Sequence, residues 1–201
     1  MFFLIWFFTY CKNMFLRTKE RVVLYGYNSR TIYRYFKKQG AIIGNDCKFD
    51  VTTLGGEPYL VNIGNHVYVS SGVLFHTHDG AAWLFSENIQ NERIYGPIII
   101  EDNCIIGRNS QIMPNVHIGK NSVVGPGSVV ISDVPPNSVV MGVPARPIGS
   151  LEKYKARCLE RWSEQAPPEV NTNGSRYNSK KTKELVRKHL IELYRNSGNK
   201  L

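Results

Sequence analysis

The chain has 201 residues, 42% of them apolar and 20% charged, ordinary for a globular protein and enough for one body with a core and short appendages. Its formal charge of +9 is unevenly spread: residues 1–38 hold eight Lys/Arg against one acidic residue, residues 39–150 five against nine, and residues 151–201 twelve against six. The middle is therefore mildly acidic between two basic flanks. No basic-plus-aromatic platform accompanies that charge, so nucleic acid is not an expected partner.

Residues 1–10 (MFFLIWFFTY) are uncharged and densely aromatic, and the first cation is Lys12. Ten residues fall short of the roughly 20 needed to span a bilayer, and the order of charges and small residues is not that of a secretory signal. With Arg17, Lys19 and Arg21 following, residues 1–21 suit peripheral contact with an anionic membrane face, or a terminal helix packed on the body. Residues 30–40 (RTIYRYFKKQG) form a short amphipathic stretch ending in glycine, which predicts a helix leading into the main fold. Residues 1–40 are thus read as an N-terminal helical appendage.

The body, residues 41–149, is governed by a period of six. Residues 100–135 read IEDNCI, IGRNSQ, IMPNVH, IGKNSV, VGPGSV, VISDVP. Aliphatic residues open each unit (Ile100, Ile106, Ile112, Ile118, Val124, Val130), and small or β-branched ones hold the fifth place (Cys104, Ser110, Val116, Ser122, Ser128, Val134). A helix repeats near 3.6 and a lone strand at 2, so a strict six requires a solenoid of short strands and tight turns, three units to a coil. Asn103, Asn109, Asn115, Asn121 and Gly127 fall where such turns need left-handed backbone. Each inward Ile or Val contributes about 1.5–3 kcal/mol of burial.

The same order starts earlier, at Ile43 and Phe49, breaks at Gly55-Gly56-Glu57-Pro58, and resumes at Ile63, Val69 and Phe75. Ile63 and Ile100 are 37 apart, one more than a multiple of six, so the register breaks between them and residues 79–97 are thrown out as a loop. Long loops inside regular folds tend to carry function. After residue 135 the run PNSVVMGVPARPI closes the solenoid, and residues 150–201 supply the C-terminal appendage. There, residues 151–164 form a helix whose apolar stripe can cap the open end. Residues 166–179 read as a linker, and residues 182–195 as a basic amphipathic helix. The four cysteines are scattered without paired spacing, which argues for neither a zinc cage nor a disulfide framework and suits a reducing cytoplasm.

These in-register hexads resemble the hexapeptide-repeat acyltransferases, in particular the sugar and polysaccharide O-acetyltransferases. The resemblance covers about residues 41–149. It implies an all-β left-handed parallel β-helix, usually a homotrimer with active sites between subunits, and acetyl-CoA as co-substrate without a metal. The string Thr77-His78-Asp79-Gly80 is similar to the family's motif at the end of a coil before a loop, which implies His78 as general base. Asp79 would orient a histidine or simply start the turn. His76 and Trp83 are the implied acceptor contacts. Gly142-Val143-Pro144-Ala145-Arg146 resembles the motif that brings a cation to the coenzyme A phosphates, here Arg146, with Arg108, Pro126, Gly127 and Ser132 as pantetheine-lining residues. Two departures concern those contacts: relatives often carry Trp at the place of Ile105 and a lysine near Ile131-Ser132.

A base is needed because a sugar hydroxyl attacks a thioester only as its proton is removed, and an imidazole titrates in the range suited to that task. The expected activity is acetyl transfer to a sugar hydroxyl of a cell-surface polysaccharide or its precursor, at the cytoplasmic side of the cell membrane. The alternatives are N-acetylation of a nucleotide-linked amino sugar, a zinc hydrase of the γ-carbonic-anhydrase type using His66, His76, His78 and His117, and a non-catalytic membrane-associated scaffold.

Overall fold

The structure is a computed structural model that describes residues 26–85, 87, 93–165, 167 and 180–197. The aromatic N-terminal decapeptide and nearly all of the expected linker lie outside the described residues. The chain divides into two units, residues 1–151 and 152–201.

In the first unit, helix α1 (Tyr33–Lys38) follows a turn at Asn28 and ends at Gly40, which has φ of +94°. It buries Ile32 and Phe36 on the first coil, with the Phe36 ring edge-on to Phe49 at 5.5 Å, and so closes the N-terminal end of the solenoid. The expected helix is there, shorter than residues 30–40. The first coil holds β1 (Ile42–Ile43) and β2 (Lys48–Phe49), and the second β3 (Val61–Ile63), β4 (Tyr68–Val69) and β5 (Leu74–Phe75). A two-stranded antiparallel ribbon follows, β6 (His78–Asp79) with β7 (Ile94–Tyr95). The third coil is β8 (Ile98–Ile100), β9 (Ile105–Ile106) and β10 (Gln111–Ile112), and the fourth β11 (His117–Ile118), β12 (Val123–Val124) and β13 (Val129–Val130).

Stacking these coils in parallel makes three faces. The first is β1-β3-β8-β11, the second includes β2-β4-β9-β12, and the third is β5-β10-β13. The inward residues pair in register, as in Ile63 with Ile100, Ile106 with Val124 and Ile112 with Val130. Period six sets this: two residues suffice for a strand, four turn the corner, and every sixth side chain meets its equivalent. Ile100, Ile106, Ile112, Ile118, Val124 and Val130 are all essentially inaccessible to solvent, and so are the fifth-place residues from Cys104 to Val134.

Corners are made as the asparagines foretold. Asn103, Asn109, Asn115 and Asn121 all have φ between +57° and +63°. Between the first and second faces Asn103, Asn121 and Asn137 form a ladder in which Asn103 Nδ2 donates to Asn121 Oδ1 at 2.8 Å and Asn121 Nδ2 to Asn137 Oδ1 at 2.9 Å. Small fifth-place hydroxyls meet backbone carbonyls, as Ser110 does with Gly125 O at 3.0 Å, so these buried polar groups are satisfied.

The run after residue 135 ends the solenoid differently from a further coil. β14 (Ser138–Gly142) pairs in parallel with β12, and β15 (Ala145–Ser150) turns back antiparallel along β14. At the base of the loop of residues 79–97, β6 and β7 pair as an antiparallel ribbon, and residues 80–85 form a 3-10 turn. In the second unit, α2 (Leu151–Gln165) and α3 (Lys180–Asn196) carry the predicted helices. Tyr154 and Leu159, on the apolar stripe of α2, are exposed. Among the described residues no helix is long and apolar enough to cross a membrane.

Candidate active site

The corner between the third and first faces is the one the chain departs from twice. In the first coil it bulges over residues 55–60, and in the second it opens into the ribbon and loop that begin at His76. Gly55 permits the first bulge: its φ is +90°, and a Cβ there would sit 2.5 Å from the carbonyl oxygen of Phe75. The two excursions therefore pack against each other, one coil apart, and bring Glu57 onto His78.

Glu57 is buried, at 5% exposure. Its Oε2 accepts from the Thr77 hydroxyl and lies 2.8 Å from His78 Nδ1, while Oε1 lies 3.4 Å from Arg93 Nη1. The Glu57 backbone N–H in turn donates to Thr77 Oγ1 at 3.3 Å. Burial pushes the Glu57 carboxyl upward, but the Thr77 hydroxyl, the His78 bond and the charges of His78 and Arg93 together outweigh it, and the carboxyl titrates below its ordinary 4.5. An ionised Glu57 accepts the Nδ1 proton of His78. That fixes the tautomer with a free lone pair on Nε2, the arrangement a general base requires.

Thr77 points inward between His76 and His78, and the two histidines flank it at half-buried positions. His78 lies edge-on to Tyr95, ring centroids 6.2 Å apart. His76 Nε2 is instead 3.1 Å from Gln111 Oε1 on the third face. Asp79 does not orient either ring. Its Oδ1 accepts from the Ala81 N–H at 2.8 Å and opens the short 3-10 turn of residues 80–85, so the orienting role falls to Glu57. Adjacent strand residues face opposite ways, which turns Asp79 away from the side that His78 occupies. Trp83 stands on that turn, 66% exposed.

Of the expected coenzyme contacts, Ser132 shares the third-to-first corner with His78. Arg108, Pro126 and Gly127 sit at the corner between the second and third faces, where Gly127 has φ of +67°. Arg146, on β15, is exposed, and its Nη1 donates to Ala145 O at 3.0 Å. A single chain thus presents the histidine and most of the expected coenzyme residues on different edges of the prism. His66 bonds Asn103 at 2.8 Å and His117 bonds Glu101 at 3.0 Å, each away from His78. Among the described residues no group of three His, Cys, Asp or Glu side chains is placed to hold a metal ion.

Glu57, Arg93 and Tyr95 were not singled out from sequence. The one available signal was a lone acidic residue where Gly55-Gly56 interrupts the hexads.

A three-sided parallel β-solenoid with a carboxylate-held histidine at an interrupted corner is the class these features define. The family described as bacterial transferase hexapeptide (six repeats) matches residues 97–132. Protein CapG of Staphylococcus aureus is 45% identical over 127 residues, covering 62% of this chain and 74% of that protein. The galactoside O-acetyltransferase of Escherichia coli K12 is 40% identical over 96 residues, 47% of this chain and 46% of that enzyme, so the chain spans about half of its length. Among solved structures, a hexapeptide-repeat-containing acetyltransferase of Vibrio cholerae is similar with a TM-score of 0.48 and 28% identity, over 62% of this chain and 81% of that one. The chain belongs to the hexapeptide-repeat acyltransferases, whose repeat implies left-handed coiling.

Proposed function

We propose that the chain is an acetyl-CoA-dependent O-acetyltransferase acting on a sugar hydroxyl of a cell-surface polysaccharide or its precursor, with His78 as general base. The observation that carries the reading is the bond from His78 Nδ1 to buried Glu57 at 2.8 Å, which leaves Nε2 to take a proton. As the hydroxyl oxygen attacks the thioester carbonyl, His78 Nε2 accepts its proton and a tetrahedral oxyanion forms. Collapse breaks the C–S bond, the acetyl ester remains on the sugar, and the proton passes to the departing thiolate. Glu57 stays ionised throughout and stabilises the transient imidazolium. No covalent acyl-enzyme is required. The O-acetyltransferase relative named above supports oxygen as the acceptor atom.

The placement of Arg108, Pro126 and Gly127 on a different edge from His78 supports a homotrimer, in which the coenzyme arm held by one copy reaches the histidine of the next. Arg146 would pair with the coenzyme phosphates as a multi-donor cation. The basic flanks favour an acceptor at the inner face of the cell membrane, with residues 1–21 as the contact.

Calorimetry with acetyl-CoA, on the full chain and on Arg146→Ala, tests the coenzyme half: binding weakened by the substitution is expected. His78→Ala tests the base: loss of transfer with folding and acetyl-CoA binding intact is expected, and a folded His78→Ala protein that still transfers would refute it.

A further inference from the structure

His78, Tyr95 and Arg93 lie along one face of the β6–β7 ribbon. His78 is directly opposite Tyr95. Arg93 immediately precedes β7, two residues before Tyr95, so continuing the alternation of the strand puts it on the same side. The contacts agree, since His78 Nδ1 at 2.8 Å and Arg93 Nη1 at 3.4 Å both reach Glu57.

Arg93 is only partly engaged by Glu57. The contact is a single long one from one nitrogen, on a side chain that remains 50% exposed. A guanidinium has five N–H donors in a planar fork suited to gripping an anion with two of them. An arginine present only to neutralise Glu57 would be expected to bury its head in a two-point contact. Here Glu57 also already draws protons from Thr77 and His78. Diagonal neighbours on such a ribbon have backbones about 7–8 Å apart, close enough for one hexopyranose to touch both side chains.

We propose that Arg93 selects the acceptor: the sugar carries an anionic group, a carboxylate or a phosphate, which Arg93 grips while Tyr95 lies against the ring and His78 takes the hydroxyl proton. This rests on the acetyltransferase reading above. The anionic group takes no part in bond making or breaking. It holds the ring so that one hydroxyl faces His78 Nε2.

The test is steady-state transfer from acetyl-CoA, read as thiol release, to matched acceptors. These are methyl glucoside, methyl glucuronoside and glucose 6-phosphate, with their galacto counterparts, given to the wild type, Arg93→Gln and Arg93→Lys. The expected result is a kcat/KM for uronate or phosphate acceptors about tenfold to a hundredfold above the neutral sugars, carried mainly in KM. Which anion is preferred identifies its source. Arg93→Gln should collapse that preference, and Arg93→Lys should keep part of it. Equal kcat/KM for neutral and anionic sugars would overturn the proposal, as would an Arg93→Gln protein slowed by one common factor on every acceptor, the mark of a role exerted through Glu57 alone. Where acetyl-CoA binds and none of these sugars turns over, saturation-transfer NMR of the same sugars decides: anion-dependent binding lost in Arg93→Gln supports it, and no such binding overturns it. Absence of acetyl-CoA binding by the folded protein would instead sink the acetyltransferase reading itself.

Discussion

Glu57→Gln tests the geometry of the site most directly, because it keeps the shape and removes the charge. The carboxylate takes two donors on Oε2, the Thr77 hydroxyl and His78 Nδ1, and one on Oε1, Arg93. A glutamine offers one acceptor oxygen and an NH2 group. With its oxygen toward His78 the tautomer survives, but a charge-assisted bond of about 1.5–3 kcal/mol becomes a neutral one of about 0.5–1.5 kcal/mol. That alone lowers kcat roughly fivefold to tenfold. With its NH2 toward His78, the ring must present Nδ1 as an acceptor, its proton moves to Nε2, and most of the base's contribution of about 10²–10⁴ is lost. The expected outcome is a fall in kcat of about 5- to 10³-fold, with the affinity for acetyl-CoA retained. Steady-state thiol release measures the rate, and nitrogen-15 NMR of the imidazoles reads the tautomer without needing an acceptor. A folded Glu57→Gln protein with wild-type kcat would refute the argument. So would an unchanged His78 tautomer accompanied by a rate loss in the His78→Ala background, where none should remain.

Four further outcomes follow from the same structure. The Glu57 carboxyl is held below its ordinary 4.5 in the folded chain, so the unfolded chain binds the proton first as pH falls. The stabilisation is complete above that value and is lost on acidification through the lower folded value. The melting temperature should therefore fall as pH drops below 4.5 and through the lower folded value, and more steeply than in Glu57→Gln. Gly55→Ala places a Cβ 2.5 Å from the Phe75 carbonyl at a φ of +90°; a loss of about 1–3 kcal/mol, with weakened transfer as the Glu57 turn shifts, would show in melting and activity together. Ile106→Ala, at a fully buried inward position, should cost about 2–5 kcal/mol, whereas Asp79→Asn keeps the turn acceptor and should leave transfer close to wild type.

Asp79 and Glu57 show where reading from the sequence stops. Next to a histidine in the chain, Asp79 is the natural candidate for its partner, yet strand alternation sends the two side chains to opposite sides. Glu57, 21 residues earlier, lies in a stretch that carries no hexad order and gives no hint of which corner it occupies. The histidine itself was legible because Thr77-His78-Asp79-Gly80 lies where the repeat is interrupted. Its contact with Tyr95 depends on the pairing of β6 with β7, which no local pattern announces.

The sequence by itself determined the coils: which residues point inward, where the corners fall and which asparagines turn them. In a solenoid each of these depends on a residue's place within its own hexad, so burial at Ile112 follows from the same six-residue rule as burial at Ile106. The tertiary structure alone decided the site. Glu57, His78 and Arg93 meet because two excursions of different length, at Gly55 and beyond His76, leave the same corner one coil apart. Departures from a repeat have no periodic rule to place them, and only the packing of one against the other does.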